Sequence, residues 1–348
     1  GGVAPAQAVL GRGSVHAPGA LVEAAIPAAF ASTAGPGASG ARLPAADPEA
    51  PSSGRRLALA RWLVGEGRAA TARAMANRLW QFHFGRGLSR SPGDFGNLGV
   101  PPTHPELLDH LAARLIESGW SLKAMHRELL TSRAYRMDSL GAASTRAAAQ
   151  ESDPLNDRLW RFDPRRLSAE EYRDALLASA GVLNPELFGP SVFPELPADV
   201  LETASRPDQA WGRSSREQAQ RRSLYVFSKR SLQHPLLSAL DQPSPDLPCP
   251  ERFPTNVPTQ ALQTLNGAFP AQMAAELAAR VSRASPDRRG RVRAAILASL
   301  GRDAGEAELA RQEQFLLRLE SEKGLESLEA LRVFCLGLYN RNEFLWID

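Results

Sequence analysis

LESLEALRVFCLGLY, residues 325–339, is the stretch of sequence that decides the fold of this chain. Its apolar residues recur at the spacing of a helix, and the run from Val333 to Leu336 marks Cys335 as a small core residue. The same spacing recurs upstream, without the alternation of strands and helices that builds a parallel sheet. The other segments in this half that are predicted to be helical are Gln260–Leu265, Gln272–Val281, Arg291–Leu300 and Glu306–Leu319.

The helical pattern begins at Arg55 and includes two predicted capping boxes. In a capping box, a Ser or Thr side chain and a Glu three positions later satisfy free N–H groups at the start of a helix. Thr103 with Glu106 predicts one such start, and Ser168 with Glu171 predicts another. Both positions are therefore expected to open helices.

Long proline-rich connections interrupt the helices. Residues 184–216 and 243–258 carry closely spaced prolines, which predict ordered loops. Leu224–Phe227 is the best candidate for a strand, and residues 8–13 predict a strand whose partner lies upstream of Gly1. The fold class that follows is mainly α: an irregular helical bundle with long proline-rich loops and a few short strands.

The predicted domain organisation changes at Arg55. Residues 1–54 are predicted to form an N-terminal strand and loop segment that continues an upstream domain, with a linker from Ala31 to Gly54 that has little to bury. Residues 55–348 are predicted to form one helical domain, with a further boundary considered near residues 140–157. The chain does not begin with Met, which favours a piece of a longer protein.

Charge and motif content exclude several classes of function. The net charge is +3, from 41 Lys and Arg against 38 Asp and Glu, whereas a nucleic-acid-binding domain normally concentrates basic charge on one face. No apolar run approaches the ~20 residues that a membrane-spanning helix needs. Motifs for dinucleotides, phosphate loops, zinc and serine hydrolysis are absent from the sequence. We therefore expect no nucleic-acid partner and no membrane span.

Cysteines and histidines give no metal-binding pattern. Cys249 and Cys335 lack CxxC spacing; one disulfide between them is conceivable, and a core position for Cys335 is the stronger interpretation. His104 and His110 lie six positions apart on one predicted helix, which is the wrong spacing for ligands on one face. The sequence therefore predicts no metal site.

One candidate for chemistry lies in the segment Ser91–Gly96, where turn-forming residues surround Asp94. With His104 and Glu106 nearby in sequence, Asp94 is a candidate catalytic residue, for acid–base chemistry or for holding a cation. The alternative interpretation is that Asp94 caps a backbone turn and that Glu106 closes the capping box. Capping explains the residue types and is favoured.

A second candidate is the Arg-rich segment from Arg206 to Arg230, which is interleaved with aromatic residues. The candidate ligand-binding residues are Arg222, Tyr225, Arg230 and also Asp241, because guanidinium groups beside aromatic rings suit anionic or carbohydrate ligands. The favoured alternative is that Arg222 and Arg230 pair with carboxylates such as Asp241 and pin the loop.

A third group consists of polar residues on otherwise apolar helices. They are predicted either to line a ligand-binding cleft or, as we favour, to hydrogen-bond the backbone of the long loops. The residues are Asn77, Arg78, Gln260 and Asn266.

Several short motifs follow one another in a defined order along the chain. They are Asn77–Trp80, Gly85–Leu88, Pro92–Gly96, Thr103–Leu108, Gly119–Ser121, Arg221–Tyr225, Lys229–Arg230, Asp241, Pro258–Leu262, Leu265–Asn266 and Asn342–Leu345. The order of these motifs resembles the planctomycete-type domain of unknown function called the PSD family. The resemblance runs through most of residues 55–348 and extends in part to residues 8–27.

The resemblance implies a setting rather than an activity. In that family the domain usually follows a cytochrome-c-like domain and a second domain of unknown function in large exported proteins. It thus implies an extracytoplasmic location, upstream domains as partners, and a c-type haem on the upstream region, with no cofactor in this fragment. The leading hypothesis is an accessory or interaction module. The alternatives are an enzyme domain, an oxidoreductase or hydrolase acting on polysaccharide, and a glycan- or anion-binding module.

Overall fold

The computed structural model describes residues 7–26, residue 30 and residues 52–348. Its secondary structure is mainly helical, which confirms the predicted fold class. The chain divides into an N-terminal unit, residues 1–136, and a C-terminal unit, residues 137–348. The domain division predicted at residue 55 stays a prediction. The predicted linker lies outside the described residues, apart from residues 52–54.

The N-terminal unit combines a β-hairpin with four helices among its described residues. The strand predicted near residue 8 is present and pairs antiparallel with the strand that follows it. The partner predicted upstream of Gly1 stays a prediction. A short 3-10 turn at Gly11–Gly13 begins the reversal of the chain between the two strands. The elements are β1 (Gln7–Leu10), β2 (Pro18–Val22), α1 (Arg55–Val64), α2 (Arg68–Phe84), α3 (Pro105–Glu117) and α4 (Leu122–Thr131).

The core of the N-terminal unit lies between α2, α3 and α4. Each helix buries the stripe of residues that its three- and four-residue spacing places on one face. The core side chains include Leu79, Trp80 and Phe84 of α2, Leu108, Leu111 and Leu115 of α3, and Met125 and Leu129 of α4.

Helix α3 begins one residue later than the capping box predicted. Its N-cap is His104, with no capping hydrogen bond from a side chain, and Pro105 occupies the first turn as expected. The Thr103 N–H donates to the Leu88 carbonyl at 2.9 Å, and the Thr103 hydroxyl lies 3.4 Å from the same oxygen. The capping-box prediction was wrong here because Thr103 bonds the carbonyl of Leu88, which is distant in sequence, and does not cap the helix.

The C-terminal unit is a helical bundle with two short strands. The strands β3 (Arg165–Arg166) and β4 (Trp346–Ile347) pair antiparallel and bring residues far apart in sequence together. The helices are α5 (Arg146–Ser152), α6 (Ala169–Ala180), α7 (Ala198–Glu202), α8 (Pro207–Ala210), α9 (Arg216–Ala219), α10 (Pro235–Ala239), α11 (Pro258–Asn266), α12 (Ala268–Ala284), α13 (Arg288–Leu300), α14 (Glu306–Lys323), α15 (Ser327–Tyr339) and α16 (Asn342–Leu345).

Helix α15 lies in the centre of this bundle, as its sequence predicts. Cys335 is fully buried and free, and burial raises the pKa of its thiol above the ordinary value. Cys249 is exposed and also free, so the two cysteines do not form a disulfide. The Tyr339 hydroxyl reaches across to the Ser179 hydroxyl of α6 at 2.8 Å. A polar bond inside the core thus fixes the register between α15 and α6.

The capping box predicted at the start of α6 is confirmed. The Glu171 N–H donates to the Ser168 hydroxyl at 3.3 Å, and the Ser168 N–H donates to the Glu171 carboxylate at 2.8 Å. The guanidinium of Arg165 holds the same carboxylate with two bonds of 2.8 and 2.9 Å. Gly181 ends the helix at a φ of +77°, a conformation that glycine adopts without strain.

The strand predicted at Leu224–Phe227 was wrong. Residues Ser223–Tyr225 form a single 3-10 turn, and only Val226 makes an isolated β-bridge, to Val192. The Ser223 N–H donates to the carboxylate of Asp174 on α6 at 2.7 Å. The segment meets residue 192 at this one bridge, where the Val192 N–H donates to the Tyr225 carbonyl at 2.7 Å and the Phe227 N–H donates to the Val192 carbonyl at 2.9 Å.

We expect Glu171→Gln to weaken the C-terminal unit at neutral pH and to have little effect in acid. Partial burial alone would raise the pKa of Glu171, but hydrogen bonds from Arg165 and Ser168 outweigh it and lower the pKa to about 2. Because the unfolded pKa is about 4.3, the ionised group stabilises the fold above that pH and loses its effect as the pH falls towards 2.

The measurement is urea unfolding of wild type and variant, followed by far-UV circular dichroism between pH 7 and pH 2. The variant should lose up to about 1 kcal/mol at pH 7, since the carboxylate is partly screened by solvent. Glu322→Gln, at an exposed position of α14, is the matched control. A Glu171→Gln difference that stays constant over the whole pH range would contradict the prediction.

Candidate functional site

Asn77 fixes the loop that connects α2 to α3, residues 85–104. Its buried amide donates to the Ser89 carbonyl at 3.1 Å and accepts from the Ser89 N–H at 2.9 Å. A Cβ on Gly87 would lie 2.5 Å from the Asn77 amide nitrogen, so only glycine fits beside it. Asn77 therefore holds loop backbone, which is the interpretation favoured from the sequence.

Serine side chains close this loop upon itself. The Ser89 hydroxyl donates to the Val100 carbonyl at 3.0 Å, and the Val100 N–H donates to the Ser91 hydroxyl at 2.7 Å. The Ser91 hydroxyl also donates to the Asp94 carbonyl at 2.8 Å. Since both ends and the middle are bonded, the loop has one defined conformation with its tip held in place.

Each of the three candidate catalytic residues has its own contacts in or beside this loop. The Asp94 carboxylate accepts from the Gly96 N–H at 2.7 Å, which makes it the cap of a turn. The His104 ring nitrogen Nδ1 lies 3.1 Å from the Thr103 hydroxyl, and Glu106 lies exposed in the first turn of α3. Among the described residues, no hydrogen bond or ion pair joins Asp94, His104 and Glu106. Their catalytic role stays a prediction.

The tip of the same loop displays apolar side chains. Leu98 is 95% exposed and Phe95 is 45% exposed, and Val100 is exposed beside them. Large apolar side chains held outward on a fixed loop differ from scattered surface leucines, because their positions cannot relax to bury them. We call Phe95, Leu98 and Val100 the apolar loop tip.

Helix α1 presents a second apolar surface in the N-terminal unit. All of its residues, which the structure describes in full, are exposed or half-buried, although the helix reads RRLALARWLV. Leu57, Leu59, Leu63 and Val64 are exposed on it. An apolar helix that buries none of its residues is typical of an element that packs against something else.

In the C-terminal unit, two buried guanidinium groups organise the Arg-rich segment. Arg221 donates to the carbonyls of Glu186, Phe188 and Pro190, and its guanidinium stacks 3.9 Å from the centre of the Tyr225 ring. The Tyr225 hydroxyl accepts from the Phe188 N–H at 2.7 Å. Tyr225 is therefore part of the loop scaffold.

Arg173 of α6 is the organising residue that sequence reasoning missed. Its buried guanidinium donates to the Ala219 carbonyl at 2.6 Å, to the Arg221 carbonyl at 3.0 Å and to the Ser223 hydroxyl at 3.2 Å. Burial, and then the positive charge of Arg173, lower the pKa of the buried His234 to about 4, so that histidine is neutral at pH 7. The available signal was a charged residue between the buried positions Tyr172 and Leu176 of one helix face.

The predicted pairing of Arg222 and Arg230 with Asp241 was wrong. Arg222 is 53% exposed and pairs with Asp174 at 3.5 Å, while Arg230 is 78% exposed and pairs with Asp246 at 3.2 Å. Both residues nevertheless make ion pairs with carboxylates, as the favoured interpretation holds. Their role in binding an external anion stays a prediction.

Asp241 instead joins a network with Thr255 and Gln260. It accepts from the Thr255 N–H at 2.7 Å, from the Thr255 hydroxyl at 2.9 Å and from the Gln260 amide at 3.1 Å. Partial burial raises the pKa of Asp241, but these hydrogen bonds outweigh it and hold the pKa below its ordinary value. The Gln260 amide oxygen accepts from Arg166, which also donates to the Thr255 carbonyl at 2.5 Å. This network ties the proline-rich loop to β3 and α11.

The remaining polar candidates lie apart from this network. Arg78 is exposed on α2, with its guanidinium 5.6 Å from the centre of the Phe82 ring. Asn266 is exposed at the end of α11, whereas Gln260 is buried at its beginning. Trp211 is half-buried against Phe193, and its ring N–H donates to the Pro194 carbonyl at 2.8 Å. Trp211 is thus committed to a small internal aromatic cluster.

We expect Arg173→Leu to destabilise the C-terminal unit by about 3 kcal/mol or more, because it leaves buried carbonyls without donors. Urea unfolding at pH 7 measures the change. Arg222→Leu is the matched control: its exposed ion pair should contribute less than about 1 kcal/mol. Equal effects of the two substitutions would contradict the structural role assigned to Arg173.

The fold and the contacts that hold its loops define the class of protein to which this chain belongs. This is a mainly α-helical chain whose long irregular loops are held by buried amide and guanidinium groups. In the part that the structure describes, no helix is long and apolar enough to cross a membrane, and no group of three or more His, Cys, Asp or Glu could hold a metal ion.

The family follows from comparison with known sequence families. Residues 55–316 match the model of the PSD1 family, described as protein of unknown function (DUF1553). The match covers more than half of the chain, so this protein belongs to that family, and the resemblance drawn from the motifs is confirmed. Comparisons with curated proteins and with solved structures give no significant match.

Proposed function

We propose that this chain is an accessory interaction module that packs against upstream domains of an exported, c-haem-containing protein. The observation that carries the proposal is the apolar loop tip, in which Leu98 is almost fully exposed on a loop bonded at both ends. A fixed loop that displays apolar side chains is suited to contact with a protein surface.

The distribution of roles among the polar candidates supports this function. Four of the candidates form hydrogen bonds with loop residues of the chain itself: Asn77, Asp241, Gln260 and Tyr225. A catalytic or ligand-binding residue needs a group directed towards a ligand. The apolar loop tip and helix α1 remain exposed in the N-terminal unit, which favours docking over catalysis.

Helix α1 offers a second exposed apolar surface of the N-terminal unit for docking. It combines exposed Leu57, Leu63 and Val64 with Arg55 and Arg61 and carries no acidic residue. Stable protein interfaces combine an apolar centre with a polar or charged rim. The complementary upstream surface is therefore expected to be apolar at its centre and acidic at its rim.

A second candidate function is anion or glycan binding by Arg222 and Arg230. The observation that favours it is their exposure, which leaves guanidinium N–H groups accessible to an external ligand. Each already pairs with a carboxylate, so a ligand would have to compete with Asp174 or Asp246. This competition makes the candidate secondary to the docking function.

We expect Leu98→Ser to weaken docking to the upstream part of the native polypeptide. The upstream part and the present chain are produced separately, and their affinity is measured by calorimetry. Loss of an exposed leucine from an interface centre should weaken binding by about tenfold or more. Leu297→Ser, an exposed leucine of α13 in the C-terminal unit, is the control and should bind as wild type.

Two results would contradict the docking proposal. One is absence of binding between the two parts while both are folded, and the other is an equal loss of affinity in both leucine variants. Leu98 is 95% exposed, so its replacement should leave the melting temperature of the chain unchanged.

The haem setting has its own measurement. We expect a reduced-minus-oxidised visible spectrum of the native full-length polypeptide to show a c-type haem band, with none from residues 1–348 alone. A c-type haem requires two cysteines in CxxCH spacing, and Cys249 and Cys335 do not provide it. A full-length polypeptide without the band would remove the haem context and leave the docking test unaffected.

A further inference from the structure

Two histidines from different helices meet in the N-terminal unit. His83 lies in the last turn of α2 and His126 lies on α4. The Nε2 atom of His83 and the Nδ1 atom of His126 are 2.8 Å apart, although the residues are 43 positions apart in sequence. Both rings are half-buried. The sequence distinguished neither residue, because no spacing along the chain brings residues on two helices together.

Aromatic side chains hold the two rings in place. The imidazole planes are inclined by 71° with their centres 5.1 Å apart, and Tyr135 packs edge-on against His83 at 5.8 Å. Tyr135 also packs against Phe84, which stacks on Trp80 at 3.9 Å. The pair is therefore set on the rigid core of the unit rather than on mobile side chains.

We propose that His83 and His126 form a two-histidine binding site for a late first-row divalent transition metal ion. Imidazole nitrogens that bind one metal at 2.0–2.1 Å lie about 2.8–3.4 Å apart for bond angles between square-planar and tetrahedral values. The observed separation of 2.8 Å is within that range. The distance between the two nitrogens thus already suits a shared metal ion, and both rings turn on binding so that their lone pairs point at the ion instead of along the hydrogen bond.

A metal ion can replace the hydrogen bond between the two imidazole rings without a net release of protons. When both rings are neutral, one ring of the metal-free pair donates its N–H to the lone pair of the other. When a metal binds, the donor ring takes the tautomer with its proton on the opposite nitrogen, so both facing nitrogens offer lone pairs. No net proton is released, and the ion takes the place of the hydrogen bond.

The chain supplies two ligands to this site and leaves the other positions open. No third His, Cys, Asp or Glu joins the pair among the described residues. Water or an external ligand would complete the coordination, as in open rather than closed metal sites. Cu(II) binds most tightly in the series of divalent ions and accepts tetragonal nitrogen and oxygen ligands, which makes it the best probe.

The test is a titration of residues 1–348 with Cu(II) in the presence of glycine as a competing ligand. One equivalent should bind, and each of His83→Gln and His126→Gln should weaken binding by more than about tenfold. His110→Gln is the matched control, since that histidine is 60% exposed on α3 of the same unit. Its loss should leave the affinity within about twofold of wild type, because an exposed ring outside the pair contributes no ligand.

Electron paramagnetic resonance of the wild-type Cu(II) complex decides the question without a variant. Protein labelled with ¹⁵N-histidine should show altered nitrogen couplings from two imidazoles. The proposal is overturned if the couplings do not change or if the protein does not take up one equivalent of Cu(II) in competition with glycine. It is also overturned if the double variant His83→Gln/His126→Gln still binds one equivalent of Cu(II). Circular dichroism of each variant checks that the fold is intact.

Discussion

The bonding of two buried guanidinium groups to loop carbonyls is the interaction on which the C-terminal unit depends. Its proline-rich connections form no regular ladder, and proline itself offers no N–H. Arg173 and Arg221 supply donors, with guanidinium groups directed at the carbonyls of residues 186–190 and 219–221. Arg suits this task because its planar group presents several donors at once. Each buried guanidinium thus ties a stretch of irregular loop to a defined position.

The same solution, with different chemistry, appears in the N-terminal unit. There Asn77 matches one donor and one acceptor of the Ser89 backbone, and serine hydroxyl groups complete the loop. An amide supplies both hydrogen-bonding roles where a guanidinium supplies only donors. Both units thus use polar side chains on helices to specify loops, and this use accounts for Asn77 and Gln260 among the polar residues that the sequence singled out.

Helices could be predicted because their signal is local. The spacing of apolar residues in 325–339 and the capping box at Ser168 depend on neighbours within a few positions. The errors arose where distant residues decided the outcome. Ser223 bonds Asp174, 49 positions away, and Thr103 bonds Leu88, 15 positions away. The candidate sites follow the same rule, since neither the Arg173 contacts nor the His83–His126 pair can be found from spacing along one element.

The pairing of β3 with β4 has a consequence for the order in which the chain can fold during synthesis. Residues 346–347 lie beside residues 165–166, and the buried side chains of α15 come just before them in sequence. The matched family region stops at residue 316, inside α14, so the folding unit extends beyond it. Until residues 327–339 have left the ribosome, α12, α13 and α14 lack the helix α15 that covers their apolar faces. Until then the nascent unit exposes apolar surface of the kind that chaperones shield.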